Sequence, residues 1–264
     1  MAIARVASQI TGNRAAAAAV NITMPNNVTS GNVVIVVSAG CRNDSTLVAN
    51  LAITKASGTA TIGTVVNDGR YAVNSGSAYF KLEINRVPIT DTGSLVLTLT
   101  STSTAYLTGS ANEYSGLDTI HGAMVTNTAT STTESTGNIT GHTGGLMVGG
   151  ATEYSGGTQN HTNRTDTLVY EQTDNSAYQS LISQDRLNAG DETVAITDTV
   201  SSVLWYAVGA AYTAAAAGSN TPSNTPSETP SNTVSATPSN TVSATPSNTV
   251  SRTPSATPSN TVSR

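Results

Sequence analysis

Residues 220–264 are eleven consecutive tetrads of the form x-Thr-(Pro/Val)-Ser, closed by Arg264, without one slip in register. Hydroxyls, proline and almost no apolar mass cannot bury enough surface to offset the entropy of ordering a backbone, so this segment cannot form a globule. The chain therefore divides into a head over residues 1–213, an Ala/Gly hinge over 214–219 and a tetrapeptide-repeat tail over 220–264. Any core must come from the head.

The head reads as strands. Phe80, Leu82 and Ile84 alternate with Lys81, Glu83 and Asn85, and Leu95, Leu97 and Leu99 with Val96, Thr98 and Thr100. That is the period-2 pattern of half-buried strands. Further strands are predicted over residues 32–39, 47–55, 145–154, 166–172, 177–184, 192–198 and 202–213. Two uninterrupted apolar runs, 33–37 and 203–211, are expected to lie centrally with both faces buried. Asn67-Asp68-Gly69, Asn74-Ser75-Gly76, Asp91-Thr92-Gly93, Gly156-Gly157 and Asn188-Ala189-Gly190 read as turns. Residues 14–20 are rich in alanine and could make a helical turn, but the following Asn21-Ile22-Thr23 and Met24-Pro25-Asn26-Asn27 argue for strand then turn. The expected fold class is all-β: an antiparallel sandwich of jelly-roll type followed by an extended, non-globular tail.

Charged residues make up 10 % of the chain, against about 25 % in an ordinary soluble domain. The net charge of −5 divides into −6 for the head, from nine basic and fifteen acidic residues, and +1 for the tail, from two arginines against one glutamate. No basic run exists, which argues against a nucleic-acid partner. A single cysteine, Cys41, excludes an internal disulfide and reads as a buried thiol. The opening MAIARVASQITGN lacks the apolar stretch of an ordinary secretory signal, and no stretch is long enough for a helical membrane span. The surface-type composition nevertheless points outside the cell or onto a virion, through a removed leader or another route such as particle release.

Ala111-Asn112-Glu113-Tyr114-Ser115-Gly116 recurs as Ala151-Thr152-Glu153-Tyr154-Ser155-Gly156, and the run from Leu204 to Thr213 closes on a similar small-then-Tyr cadence. Inner strands of one sandwich ending alike, with tyrosine capping the core edge, is the simpler reading; two duplicated half-domains is the other. With GLMVGGA at 145–151 and VLWYAVGAAY at 203–212, these motifs resemble the jelly-roll sandwiches on phage and large-virus particles and in environmental surface filaments. The Thr-Pro-Ser tail is similar to the glycan-coated stalks and fibrils of viral and microbial surfaces. The resemblance implies a structural role as decoration, fibre or adhesion module, with no catalytic set.

The residues themselves point the same way. Nucleophile-elbow, zincin and Cys-x-x-Cys motifs are all missing. His121, His142 and His161 sit in polar, loop-like contexts without a ligand-type partner at useful spacing, so surface positions are expected and no metal or cofactor site is assigned. Glu113 and Glu153 could in principle form an acid/base pair of the glycosidase kind; their identical contexts argue for a shared structural task. Asp185, Asp191 and Glu192 read as solvated loop acids, and Trp205 as core. Asn21, Asn27, Asn43, Asn138, Asn160 and Asn163 head N-glycosylation sequons.

The tail has no such sequon, but it offers twenty-two hydroxyls for O-glycans. These are Thr221, Thr225, Thr229, Thr233, Thr237, Thr241, Thr245, Thr249, Thr253, Thr257 and Thr261, with Ser223, Ser227, Ser231, Ser235, Ser239, Ser243, Ser247, Ser251, Ser255, Ser259 and Ser263. A four-residue repeat would wind around every side of a three-fold polyproline helix, whereas it is commensurate with the two-residue pleat of a strand. Extended, Thr and Ser share one face and the x and Pro/Val positions the other. The expected function is a non-enzymatic subunit that assembles with copies of itself into an extracellular or virion-surface filament, its tail extended along or through neighbours and carrying covalent glycans. The alternative is a stalked adhesion module that binds cell-surface glycans.

Overall fold

The computed structural model describes residues 2–42, 51–74, 79–154, 161–172 and 180–216. The tail, residues 217–219 of the hinge, Asn43 and Asn160 lie outside the described residues. The first half of the head supplies β1 (Ala4–Thr23), β2 (Val33–Arg42), β3 (Ala52–Ser57), β4 (Thr61–Ile62), β5 (Val66–Asn74), β6 (Tyr79–Asp91) and β7 (Val96–Ser115). They form one antiparallel sheet in the order β1-β7-β2-β6, with β4 and β5 both on the far side of β6 and β3 on the start of β7.

The second half supplies β8 (Leu117–Ser135), β9 (Ile139–Thr140), β10 (Gly145–Tyr154), β11 (Thr167–Gln172), β12 (Leu181–Ala189), β13 (Thr193–Val194) and β14 (Thr197–Ala214). Its sheet runs β8-β14-β10-β12-β11, and β9 pairs with β13 apart from it. The two sheets share one plan. The opening strand lies at an edge, the closing strand beside it, then the second long strand, then a hairpin.

Period 2 decides what packs where. On β2, Val33, Ile35, Val37, Ala39 and Cys41 face a core shared with Phe80, Leu82 and Ile84 of β6, and with Leu146, Val148, Tyr206, Val208 and Tyr212 of the second sheet. Val34 and Val36 face the other way, onto Ile22, Leu95, Leu97, Leu99 and Leu107. The long β1/β7 ribbon makes this second core by folding back over its own sheet. A Cβ on Gly109 of β7 would stand 2.6 Å from Ile22 Cδ1 and 3.5 Å from Leu99 Cδ2. Only a glycine lets the ribbon come that close. The second half repeats the manoeuvre on a smaller scale, where a Cβ on Gly149 would lie 2.9 Å from Thr136 and one on Gly209 would lie 2.5 Å from Ile139.

The antiparallel sandwich and the doubly buried 33–37 run match expectation. The jelly-roll strand order does not, because a jelly roll interleaves strands between its sheets and here each sheet takes one contiguous half of the chain. Residues 14–20 are strand throughout, since β7 supplies a full ladder of partners that an isolated helical turn lacks. Asn67-Asp68-Gly69 lies within β5, at a register shift between Asn67 and Gly69, so the turn-like residues mark a bulge. β14 runs one residue past the expected head boundary, and the N–H of Ala215 bonds Gly116 O at 2.8 Å. Among the described residues no helix is long and apolar enough to cross a membrane.

Candidate functional site

The second half keeps four ionisable side chains under its cover. Glu134 is the next-to-last residue of β8 and Asp198 the second of β14, directly opposite each other in the ladder. Like charges facing across a strand pair repel. Glu153 of β10 pairs with Trp205 on the neighbouring strand. His161 is carried in by a segment tied to the start of β14: Thr162 N–H donates to Thr199 O at 2.9 Å, Thr199 N–H to Thr162 O at 2.7 Å and Thr165 N–H to Thr197 O at 3.0 Å. All four are buried, with Glu134 at 0 %, Glu153 at 1 %, Asp198 at 2 % and His161 at 3 % exposure.

The imidazole stands between the acids. Its Nδ1 bonds Asp198 Oδ2 at 2.5 Å, and Glu134 Oε2 lies 3.5 Å from the same nitrogen. On the other side of the ring, Nε2 is 2.7 Å from Glu153 Oε1. That close pair is not a hydrogen bond, because the N–H direction misses the carboxylate: Nε2, both oxygens of Glu153 and both of Glu134 have no hydrogen-bond partner. Glu134, Glu153 and His161 each offer one ligand-type atom, and these atoms lie within 4.8 Å of one another. A cavity of about 10 Å³ adjoins the cluster on the Glu134 and Asp198 side, lined also by Gln184 but not by Glu153 or His161, with room for about one water molecule.

The electrostatics follow from burial. Burial, then the nearby charge of Glu153, raises the Glu134 carboxyl well above the usual range, and Asp198 adds to this against the opposing effect of His161. Burial alone would lower the His161 pKa; contacts with Asp198, Glu134 and Glu153 outweigh it and push it up to about 12. The cluster can hold positive charge at its centre, as a proton or as a cation.

His161 is thus a correction: it is buried, not a surface residue, because its partners lie eight or more positions away and come together only through the sheet. Glu113 and Glu153 do not form a pair. Glu113 Oε1 accepts from Thr29 N–H at 2.7 Å and Asn32 Nδ2 at 2.6 Å in the first half. Asp185 is also corrected from solvated loop to core. It is fully buried and binds the Arg5 guanidinium and Tyr114 OH (2.6 Å). Asp68 makes the matching clasp with Arg86 and Tyr212 OH (2.9 Å), each clasp joining the two sheets. Those two tyrosines, not the repeated hexapeptides, are the counterparts at the ends of β7 and β14. His121 and His142 are partly exposed with rings 5.1 Å apart. Asn21, Asn27, Asn138 and Asn163 are exposed, and Trp205 is buried, donating from Nε1 to Ser131 Oγ at 3.0 Å. The candidate O-glycan hydroxyls lie outside the described residues.

Comparison of the chain with protein-family models, with curated proteins and with solved structures finds no match.

Proposed function

We propose that the protein is a non-enzymatic structural subunit that assembles with copies of itself at a cell or virion surface. The observation that carries this reading is β8. It is 19 residues long and ends its sheet, with β14 on one side and no strand pairing with its other edge among the described residues. Natural edge strands are blunted by lysine, proline, brevity, bulges or inward charges; β8 is bulged near both ends and carries Glu134 inward, but pairs in unbroken register from Val125 to Ser131. This one holds no Lys, Arg or Pro, and Thr126, Thr128, Thr130 and Thr132 are exposed.

The tail has the complementary chemistry. In an extended strand, alternate residues present N–H and C=O to opposite edges. Thr and Ser of every tetrad therefore keep one edge complete, while the seven prolines remove donors from the other. Such a strand adds to an open edge and then terminates the sheet. Its hydroxyl face stays free for O-glycans. The acid–histidine cluster is sealed from solvent, which suits a structural task.

The test is electron microscopy and light scattering of the full chain beside one ending at residue 219. The full chain should form filaments, and the truncated chain and a Thr130→Lys, Thr132→Lys variant should not. A monodisperse monomer from the full chain, or filaments from the truncated one, would overturn the reading; tail removal by protease with assembly intact would favour the stalked adhesion module.

A further inference from the structure

We infer that Glu134, Glu153 and His161 bind one divalent transition ion, with Zn²⁺ the best fit and Mn²⁺ next, and that this ion pins the end of the edge strand β8 to its sheet.

Four observations converge. The atoms without hydrogen bonds in the cluster are the oxygens of Glu134 and Glu153 and the Nε2 of His161, on side chains at 0–3 % exposure. Leaving that many buried acceptors unpaired is costly unless something positive sits among them. Asp198 is the exception, and its place explains why: it takes the bond from His161 Nδ1 at 2.5 Å, the outer-shell contact that fixes the tautomer of a metal-binding imidazole and turns Nε2 toward the ion. Ligand atoms at about 2.0–2.2 Å from one zinc stand roughly 3–3.5 Å apart. Here His161 Nε2 and Glu153 Oε1 are 2.7 Å apart and all three groups lie within 4.8 Å of one another, so small side-chain shifts bring them onto one ion. The adjoining cavity has room for a single water as a fourth ligand.

Charge argues alike. The ion takes the place of the protons that otherwise hold the cluster: with it bound, three carboxylates, a neutral imidazole and a dication sum to −1. One imidazole nitrogen with two carboxylates selects zinc or manganese over calcium, which takes six to eight oxygens, and no thiolate is present to favour softer ions. The ligands come from β8, from β10 and from the segment docked on β14. One ion therefore joins an edge strand, an inner strand and a loop. Asp198 acts as a positioning residue.

The experiment uses the intact chain purified without chelator. Elemental analysis should find about one equivalent of Zn²⁺ or Mn²⁺ per chain. Dialysis against EDTA should lower the melting temperature and added Zn²⁺ should restore it. Co²⁺ in the emptied wild-type protein should give visible absorption from a low-symmetry site, a readout that needs no variant. Glu153→Gln should weaken Zn²⁺ binding at least a hundredfold, Asp198→Asn by about 10–100-fold, and Glu113→Gln, the same hexapeptide position in the first half, not at all. Folded wild-type protein that binds none of the three ions and melts identically with and without EDTA would overturn the inference, leaving a cluster held by protons alone. Equal loss of binding in Glu113→Gln would overturn it as well.

Discussion

The two halves of the head follow one strand plan and fill the space beneath their covers in opposite ways. Under the first lies an apolar cluster of seventeen buried side chains, among them Ile22, Val36, Leu97 and Leu107, with Glu83, Asn85 and Glu113 buried on the same strand faces beside it. Under the second the apolar side chains fall into two small clusters, one of Ile139, Met147, Ala189, Ile196 and Ala211 and one of Ala151, Ile182, Trp205 and Ala207, and Glu134, Glu153, His161 and Asp198 are buried beside them. The hexapeptides make the contrast sharpest. Glu113 and Glu153 occupy the same place in A-x-E-Y-S-G and both are buried, yet Oε1 of Glu113 accepts from a backbone N–H and an amide while Glu153 meets Glu134 and His161 without a hydrogen bond. A local motif fixes that a carboxylate will be buried. Which groups the returning chain lays over it decides what that carboxylate does.

The largest effect tests whether the halves are one cooperative body. Leu97 is fully buried under the first cover, and Leu97→Ala should cost about 2–5 kcal/mol. Because Phe80, Leu82 and Val37 share their core with Val148, Tyr206 and Val208, calorimetry should still show a single head transition, shifted downward. Two separate transitions would break the picture of halves locked through one core.

The paired glutamates come next, with opposite signs. Glu113→Ala strands the Thr29 N–H and the Asn32 amide and should cost about 1–3 kcal/mol, with or without chelator. Glu153→Gln in EDTA removes a buried carboxylate that has no hydrogen bond, and should stabilise by on the order of 1 kcal/mol. In Zn²⁺ the same change should destabilise. Denaturant melts of both variants in both buffers check this; equal signs in EDTA would erase the distinction between the halves.

Sequence alone carried the all-β class, the doubly buried β2 and Trp205 in the core, because those depend on period and composition. It missed β8. From Val125 to Thr132 of β8, threonine alternates with Val, Asn, Ala and Ser, with too little apolar contrast to register. The cluster was out of reach for a different reason. Glu134, Glu153, His161 and Asp198 carry no spacing signal, since a ladder register and a docked segment bring them together. The repeated hexapeptide pointed to one of the four and paired it with the wrong partner.

A smaller effect separates the buried acids by pH. Burial raises the pKa of Asp68 despite Arg86, and that of Glu83 despite Arg70. A carboxyl whose folded pKa lies above its unfolded one contributes stability that is fully present below the unfolded value, near 3.8 for Asp68 and 4.5 for Glu83. That contribution is lost as pH rises through the folded value. Both groups sit in the first half, on β5 and β6. Thermal melts at pH 4.5 should therefore match or slightly exceed those at pH 7, and a steep loss of stability at pH 4.5 would count against burial of these acids.

The smallest perturbation reads the seam between the halves without altering it. Cys41 closes β2 with its side chain in the core shared by both sheets, at 0 % exposure. Burial pushes its thiol up to about 12, so almost no thiolate forms at pH 8, and the thiolate is the reactive species. Modification by an aromatic disulfide reagent must then await opening of the seam. If the halves separate only on global unfolding, labelling should run on the order of a thousandfold or more slower than in denaturant, and should accelerate in parallel with the stability lost in Leu97→Ala. If instead the second half lifts off as a unit when its cluster is stripped of charge compensation, EDTA should speed labelling of Cys41 while leaving the Leu97 cover intact. That outcome would show that the polar half governs the lifetime of the interface and the apolar half its strength.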